Sequence, residues 1–410
     1  MPINTQSAAH STTSPAMPRA VDTDFYVLDD YLNDADRAIV STVRGFVDAR
    51  VTPLINEYWE RADFPYEILP DLAATGGVGT AIEGYGCPGL TRLQTGLVAM
   101  ELSRGDGSVN TLNAVQSGLA MGTISLLGSE AQKKRWLPAM ARFEKLGAFA
   151  LTEPEHGSDS VRLETTASRD GENYVLNGEK RWIGLGHVAD IVVLWARDTA
   201  DGKVKAFVIE KNLDGAYPEG YSAVAITGKI AKRAIQQAQI SISGLRVPVS
   251  NLLEKSTSFR DVSAVLNRTR STVAWEALGH AVAAYEIAVR YSLERSQFGR
   301  QIAATQLVQN KLANMLADLT AMQLLCFRTA ALQDQGRLTN EQASLAKLFT
   351  CQKSRALCRE ARDMLGGNGL LLENHVARHL TDMEVVHTYE GTDSIQSLIV
   401  GREITGLAAF

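Results

Sequence analysis

The spacing of apolar residues changes twice along this chain of 410 residues, and each change indicates a different kind of backbone. From about Tyr26 to Lys145 apolar residues recur at helical intervals, as in the four-residue steps from Ile39 to Val51. Between Gly147 and Asn251 they alternate instead, in short β-rich segments separated by turn sequences. The helical period then returns and continues to the C-terminus. The pattern predicts an α+β fold with an antiparallel sheet or small barrel between two helical regions.

The chain is longer than one hydrophobic core usually supports, which predicts a division into domains. Its first residues are rich in Ser, Thr, Ala and Pro, a composition typical of disorder. The predicted parts are a disordered tail at 1–25, an N-terminal helical domain at 26–147, a central antiparallel β domain at 148–252 and a C-terminal helical domain at 253–410.

Local signals predict where some elements begin and end. The stretch EGYGCPGL, residues 83–90, is expected to be a loop because its glycines and proline interrupt regular structure. Thr339 and Gln342 have the spacing of a capping box at the start of a helix. The pair Gly366-Gly367 is expected to end that helix.

Composition argues against several classes of function. A net charge of -5 and a pI near 5.9 disfavour a nucleic-acid-binding surface. No apolar run approaches the roughly 18 residues that a membrane span needs. The four cysteines show no CxxC spacing and no neighbouring histidines, so neither a metal site nor a disulfide framework is expected. The N-terminal residues lack the apolar core of a signal peptide and the chain ends in LAAF, so we expect a cytoplasmic protein.

The segment ALTEPEHGSD, residues 150–159, lies where the helical pattern gives way to the sheet pattern, a kind of junction at which ligand clefts form. Thr152 and Ser158 offer hydroxyl groups, and Gly157 would let backbone N–H groups approach an anion closely. An ordinary capped turn explains the same residues. Taken alone, the segment leaves both explanations open.

Three further stretches suit a cofactor, and each also has an ordinary structural explanation. Trp182 stands in a β-rich segment beside glycines, where its indole could cover an aromatic ring or fill the core. In RSQFGRQ, residues 295–301, an arginine near a glycine suits a pyrophosphate or a solvated helix end. In LGGNG, residues 365–369, the glycines permit close approach of a ligand or form a plain helix C-cap.

In HTYEGTDSIQ, residues 387–396, Glu390 lies between an aromatic residue and a Gly-Thr pair, just before an apolar helical run. A glutamate in the first turn of a helix is favoured by the helix dipole, which gives Glu390 a structural explanation. A catalytic base is the alternative. The local sequence does not decide between them.

Together and in order, TEPEHGSD, KRWIG, RSQFG, LGGNG and YEGT resemble the motifs of the acyl-CoA dehydrogenase superfamily, which also contains acyl-CoA oxidases. The resemblance extends from about Asp30 to Phe410. The stretches EGYGCPGL, TVAWEALG, ARDMLGGNGLLLENHV and VGREITGLAAF are similar to glutaryl-CoA dehydrogenases and plant short-chain acyl-CoA oxidases. The resemblance implies an N-terminal helical domain, a central antiparallel β domain and a C-terminal four-helix bundle domain, in a homotetramer with one FAD per subunit.

The resemblance also implies which positions form the site. Those expected to contact FAD are Phe149, Leu151, Thr152, Ser158, Trp182, Ile183, Gly184, Arg295, Phe298, Gly366, Gly367, Thr392 and Ser394. Those expected to contact the acyl-CoA substrate are Ser158, Asn267, Arg270, Tyr389 and Gly391. The residues from Arg295 to Phe298 and the Gly366-Gly367 backbone are expected to reach the FAD of another subunit. No metal is implied.

Glu390 matches the family's base. A weakly acidic C–H beside a thioester carbonyl needs a base within about 3 Å, and burial raises the pKa of a carboxylate and strengthens it as a base. The resemblance implies that Glu390 abstracts the α-proton of a short-chain acyl-CoA as hydride passes to flavin N5, giving the 2-enoyl-CoA. Electrons then pass to an electron-transfer flavoprotein. An acyl-CoA oxidase that uses O2 and releases hydrogen peroxide, and a glutaryl-CoA dehydrogenase, are the alternatives.

Some relatives place the base at the position of Thr269, which cannot act as one. Gly184 replaces the threonine of most dehydrogenases, which favours an oxidase without deciding the question. Asn110 replaces the arginine that pairs with the distal carboxylate in glutaryl-specific relatives, and Ser103 and Thr111 occupy the two neighbouring positions. Glutaryl-CoA is therefore expected to be the weaker substrate.

Two other features are left open. The segment KIAKRAIQQ, Lys229 to Gln237, departs from the family pattern and has no functional explanation in the sequence. Trp275 and Tyr389 either line the acyl pocket, where bulky walls favour short chains, or fill the core.

Overall fold

The structure, a computed structural model, describes residues 23–409. Its helices are α1 (Asp34–Phe46), α2 (Ile55–Arg61), α3 (Leu69–Ala74), α4 (Arg92–Gly105), α5 (Gly107–Asn113), α6 (Gly122–Leu127), α7 (Glu130–Ala141), α8 (Phe259–Glu294), α9 (Gln306–Asp334), α10 (Asn340–Met364), α11 (Val376–Val386) and α12 (Asp393–Thr405). Its strands are β1 (Glu83–Gly84), β2 (Cys87–Pro88), β3 (Gly147–Ala150), β4 (Thr166–Asp170), β5 (Asn173–Gly184), β6 (Ile191–Asp198), β7 (Val204–Glu210), β8 (Tyr221–Ala225), β9 (Gln237–Pro248), β10 (Ser296–Gln297) and β11 (Arg300–Gln301). Two π-helical segments are Val47–Val51 and Ala114–Met121.

The predicted α+β fold is confirmed, with helices before and after one seven-stranded sheet. The strand order is β3-β6-β4-β5-β9-β8, and β7 pairs with the other edge of β6. Strands β3 and β4 run parallel to β6, whereas the other pairs are antiparallel. The predicted antiparallel sheet is therefore mixed around β6. No hairpin joins β3 or β4 to β6, so no tight turn imposes an antiparallel direction there.

Local signals were mostly reliable guides. The Thr339 hydroxyl accepts a hydrogen bond from the Gln342 N–H at 3.2 Å, which confirms the capping box. Helix α10 ends at Met364 and Gly366 has a φ of 58°, as a glycine stop requires. The stretch predicted as a loop at 83–90 instead contains the tight hairpin β1–β2. The predicted 1–25 tail lies outside the described residues except for 23–25, and the three domain boundaries stay predictions.

Two apolar cores meet near the candidate site. One joins the N-terminal helices to the sheet and includes Leu102 and Leu151. The other lies between α4 and the C-terminal helices, and Tyr389 packs against it. Helix α4 contributes to both cores, through Leu102 to the first and through Leu97 to the second. Helix α4 thus links the core that contains the end of β3 to the core against which Tyr389 packs.

Candidate active site

The end of β5 presents an indole to solvent. The register between β5 and β9 shifts between Lys180 and Ile183, which places Trp182 in a β-bulge with a φ of 64°. Its side chain is 52% exposed. The core-filling explanation of Trp182 is therefore wrong, and its flat face is available to a planar ligand.

The segment after β3 lies directly beside this bulge. The Arg181 N–H donates to the Thr152 carbonyl at 2.8 Å. The Thr152 hydroxyl is half-buried and makes no hydrogen bond to any residue from 23 to 409. The structure thus brings Phe149, Leu151, Thr152 and Trp182 together, as predicted, whereas Ser158 lies further along the loop and is exposed.

A buried ion pair holds this segment from beneath. Lys180 Nζ donates to the Leu151 carbonyl at 3.1 Å and to Glu153 Oε1 at 2.8 Å. Glu153 also accepts hydrogen bonds from the backbone N–H groups of Glu164 and Thr165, at 2.6 and 2.9 Å. Burial lowers the pKa of Lys180 to about 8. Sequence analysis did not single out Lys180 or Glu153.

Gly184 is enclosed rather than open. It is buried, as is Ile183, and a Cβ added to it would lie 3.3 Å from Cγ2 of Val115. A threonine at this position would have to displace the Val115 side chain. The Val115 side chain, from the π-helical segment, therefore occupies space that a larger residue at position 184 would need.

The base candidate lies in a strained turn. Glu390 has a φ of 54° and Gly391 a φ of 89°. Thr392 is the N-cap of α12, and its hydroxyl accepts from the Ile395 N–H at 3.3 Å. The first helical turn contains Asp393, not Glu390, so the helix-start explanation of Glu390 is wrong. A left-handed backbone at a glutamate is a local cost that the surroundings must offset.

Two polar contacts define the surroundings of Glu390. The Thr269 hydroxyl donates to Glu390 Oε2 at 3.2 Å. The Lys347 ammonium donates to the carbonyls of Tyr389 and Gly391, on either side of Glu390. Part of the residue's surface reaches solvent, yet burial of the carboxyl group raises the pKa of Glu390, while Lys347, Arg270 and the Thr269 hydrogen bond oppose that rise.

Arg270 lies between Glu390 and a surface groove. Its Nη1 donates to Asn340 Oδ1 and, at 3.3 Å, to Asn267 Oδ1. Its Nε is buried and has no partner among residues 23–409. The groove has a volume of about 290 Å³ and is lined by Arg92, Asn267, Arg268, Gln333, Gly336, Leu338, Thr339 and Asn340. Two guanidinium groups and several amides make it suited to an anionic ligand.

The remaining predicted cofactor residues lie elsewhere on the chain. Phe298 is fully exposed at the tip of the β10–β11 hairpin, and Arg295 is exposed just before it. Gly366 and Gly367 are exposed in a 3-10 turn, and Asn368 beside them donates to the Tyr291 hydroxyl at 2.9 Å. None of these residues makes a hydrogen bond or ring contact with Trp182 or Glu390 within residues 23–409.

The structure assigns different surroundings to Trp275 and Tyr389, whose roles the sequence did not decide. Trp275 is a core residue, since a Cβ on Gly96 would lie 2.4 Å from its indole and its ring lies 5.5 Å from that of Phe327. Tyr389 instead lies beside Glu390 in the chain and donates a hydrogen bond to Glu276. Sequence analysis missed Lys347, Glu276 and Lys232, whose partners lie far away in the chain, and no local pattern could have found them.

Comparisons with known proteins identify the family of this chain. The family profiles that match are "Acyl-CoA dehydrogenase, N-terminal domain" over residues 33–144, "Acyl-CoA dehydrogenase, middle domain" over 148–244 and "Acyl-CoA dehydrogenase, C-terminal domain" over 259–405. A crystal structure of glutaryl-CoA dehydrogenase from Mycobacterium smegmatis superposes with a TM-score of 0.91 at 37% identity, covering 95% of this chain and 100% of that chain. A second structure, a glutaryl-CoA dehydrogenase from the same organism in complex with FADH2, has a TM-score of 0.90 at 35% identity and covers 94% and 98%. The acyl-CoA dehydrogenase of Bacillus subtilis (strain 168) is 34% identical over 369 residues, 89% of this chain and 96% of that protein.

Proposed function

We propose, from the premise that this chain belongs to the acyl-CoA dehydrogenase family, that it converts a short-chain acyl-CoA to the 2-enoyl-CoA with Glu390 as the base. It is an oxidoreductase acting on CH–CH bonds, and its cofactor is FAD. The observation that carries the proposal is the buried carboxyl group of Glu390, which has a raised pKa and stands in a turn outside any helix.

The chain's own residues fit a flavin. Thr152 offers an unpartnered hydroxyl and backbone groups, the Trp182 indole offers a planar surface, and Gly184 leaves no side chain in the way. When bound, FAD supplies the acceptor for the hydride that leaves the β-carbon. Residues from Arg295 to Phe298 and the Gly366-Gly367 turn would hold the FAD of a neighbouring subunit, because they are exposed and make no hydrogen bond or ring contact with Trp182 among the described residues of their own chain.

Glu390 would remove the α-proton. Its raised pKa makes it a stronger base than an ordinary carboxylate, and the Thr269 hydroxyl orients the carboxyl through Oε2. The backbone N–H of Glu390 makes no hydrogen bond within residues 23–409, since the left-handed turn takes it out of helical bonding. This N–H would donate to the thioester oxygen as negative charge develops on it. Entry of substrate would displace water from the same place.

The groove beside Arg270 would bind the CoA portion. Its guanidinium and amide groups suit phosphate and amide oxygens, and Asn267 lines it as well as accepting from Arg270. Gly391, next to the base, would leave room for the thioester.

The acyl end suits a short, uncharged chain. The Asn110 Nδ2 is buried without a partner in the described chain, but an amide offers no charge to a distal carboxylate. Lys232, whose ammonium group bonds the adjacent Thr111, is already neutralised by Glu276. Binding of glutaryl-CoA would therefore bury its distal carboxylate without a counter-ion, which is unfavourable. We expect butyryl-CoA to be the better substrate.

We propose a homotetramer that passes electrons to an electron-transfer flavoprotein. The exposed Phe298 and the exposed apolar residues Leu307 and Leu324 on and near α9 are suited to subunit contact. Helix α9 is long and apolar enough to cross a membrane, but it packs on α8 and α10 and 44% of its most apolar window is already buried, which fits a subunit interface better. A monomer in sedimentation analysis of the FAD-loaded protein would contradict this assembly.

Anaerobic bleaching of the FAD-loaded protein tests the reaction. Butyryl-CoA should bleach the flavin, and Glu390→Gln should slow bleaching by about 10² to 10⁴-fold while FAD is retained, because the amide cannot accept the proton. The control is Glu384→Gln, which removes an exposed carboxylate paired with Arg355 and should leave the rate unchanged. An unchanged rate in Glu390→Gln would refute the assignment. Rapid recovery of colour in air with peroxide release would identify an oxidase instead.

A further inference from the structure

The unexplained segment KIAKRAIQQ brings a buried lysine next to Tyr389, the residue before Glu390. Lys232 is 1% exposed and has a φ of 42°. Its Nζ lies 2.6 Å from Thr111 Oγ1 and 3.0 Å from the Tyr389 hydroxyl, and it forms an ion pair with Glu276. The same nitrogen stands 4.7 Å from the centroid of the Tyr389 ring.

Glu276 completes a closed set of hydrogen bonds. One of its carboxylate oxygens accepts from Lys232 and the other accepts from the Tyr389 hydroxyl. The three protons of the ammonium group are thus matched by Thr111, Glu276 and Tyr389, so no donor is left for a ligand. Because all three ammonium donors of Lys232 are paired, the cluster holds Tyr389 in place and does not form a binding site for a substrate anion.

We propose that Lys232 and Glu276 are positioning residues for Glu390: their ion pair holds the Tyr389 side chain and places two opposed charges beside the base. The proposal rests on the proposed function, since it concerns the proton transfer that Glu390 would perform. It also assigns a role to the segment from Lys229 to Gln237.

The backbone geometry explains why such a device is needed. Glu390 adopts a left-handed conformation, which persists only if surrounding contacts outweigh its cost. Lys347 holds the main chain on both sides of Glu390, and the Lys232–Glu276 pair holds the preceding side chain. Lys232 is itself held in a left-handed conformation, because its backbone N–H donates to Asp382 Oδ1 at 2.5 Å.

Several charged or titratable groups act on this cluster, from every element packed against it. They are Arg270, Glu276 and His280 on α8, Lys347 and Cys351 on α10, Asp382 on α11, Asp393 on α12, and Lys229 in the same segment as Lys232. Glu276 raises the pKa of Glu390 through its negative charge, alongside the larger effect of burial. Replacing Glu276 with a neutral residue should lower the pKa of the base, and removing Lys232 should raise it by leaving Glu276 unopposed.

Opposite shifts are the signature to measure. The probe is exchange of the α-protons of acetyl-CoA with D2O, followed by mass spectrometry of the FAD-loaded protein's product; acetyl-CoA has no β-carbon, so proton transfer is isolated from hydride transfer. The exchange rate should rise with pH as Glu390 loses its proton. We expect the acid limb to move to lower pH in Glu276→Gln and to higher pH in Lys232→Met, by about half a unit or more each.

Two further variants separate positioning from charge. Lys232→Arg keeps the charge with altered geometry, so it should slow exchange roughly tenfold while leaving the acid limb in place. The double variant Lys232→Met/Glu276→Leu removes both buried charges and should bring the acid limb back toward the wild-type position. If Lys232→Met fails to fold, Lys232→Arg and Glu276→Gln still test both parts.

The matched control is Lys205→Met, which breaks an ion pair between Lys205 and the buried Asp198 in the sheet, 2.7 Å apart. It should lower stability without moving the acid limb. Equal acid limbs in wild type, Glu276→Gln and Lys232→Met, or shifts in the same direction, would overturn the proposal. Failure of wild-type protein both to exchange α-protons and to be bleached by butyryl-CoA would instead refute the proposed function.

Discussion

Two buried lysines hold the two sides of the site in different ways. After β3, Lys180 donates to the Leu151 carbonyl and is paired with Glu153. Beside Glu390, Lys347 donates to the carbonyls of Tyr389 and Gly391. No carboxylate lies within 4.0 Å of Lys347 Nζ in the part of the chain that the structure describes.

The missing counter-ion changes what the lysine does. Glu153 neutralises Lys180, so that pair acts on the segment after β3 mainly through hydrogen bonds. Lys347 has no carboxylate within ion-pair distance among the described residues, and it lowers the pKa of Glu390 against the effect of burial. Burial in turn lowers the pKa of Lys347. A buried lysine that donates to the carbonyls of a turn can also lower the pKa of a nearby carboxyl group. This effect is larger where no carboxylate forms an ion pair with the lysine.

Of the two lysines, Lys347 is expected to have the larger effect on activity, which Lys347→Met tests. Loss of both carbonyl contacts should displace Glu390 and slow flavin reduction by about 10²-fold. Because Lys347 lowers the pKa of Glu390, its removal should also move the acid limb of the pH–rate profile to higher pH. Lys353→Met, on the same helix but in an exposed pair with Asp318, is the control. An unmoved acid limb would show that Lys347 holds the turn without affecting the pKa of Glu390.

Lys180→Met should affect stability and FAD retention rather than the base. Removing one partner of this buried pair should lower the free energy of unfolding by about 3 to 5 kcal/mol, whereas Lys311→Met, in an exposed pair, should cost about 1 kcal/mol or less. Denaturant titration with flavin release as a second signal measures both. If Lys180→Met shifted the acid limb of the pH–rate profile, Lys180 and Lys347 would not differ in their effect on Glu390.

The same variant has a pH signature. The pKa of Lys180 is about 8 in the folded chain and has an ordinary value of 10.5 in the unfolded chain. Between these values the unfolded state binds more protons, so this group makes the folded state more stable as pH rises. That rise should be present in wild-type protein and absent from Lys180→Met.

The smallest effect is expected from Thr269→Val. The substitution removes the hydrogen bond to Glu390 Oε2, which opposes the rise in the pKa of Glu390, so the acid limb should move to higher pH by less than one unit. Thr329→Val, which removes a buried hydroxyl bonded to the Leu325 carbonyl, is the control. A shift as large as that of Lys347→Met would show that the Thr269 hydroxyl affects the pKa of Glu390 as strongly as the Lys347 ammonium does, against this ranking.

Much of the fold and part of the site followed from the sequence. The change of hydrophobic period predicted helices, sheet and helices, and Thr339 and Gly366 predicted the limits of α10. The parallel pairing of β3 with β6 was missed, because strand direction depends on a partner that local spacing does not identify. Trp182 was ambiguous until the β-bulge showed its indole turned to solvent.

By itself, the sequence determined the order of the elements and the positions of the motifs. These depend on interactions among residues close in the chain, which the spacing of side chains reports directly. Only the tertiary structure decided which charges surround the base. Lys347 and Lys232 reach Tyr389 across 42 and 157 positions of sequence, and Glu276 does so across 113. Such contacts arise from tertiary packing between residues far apart in the chain, and no periodicity encodes them.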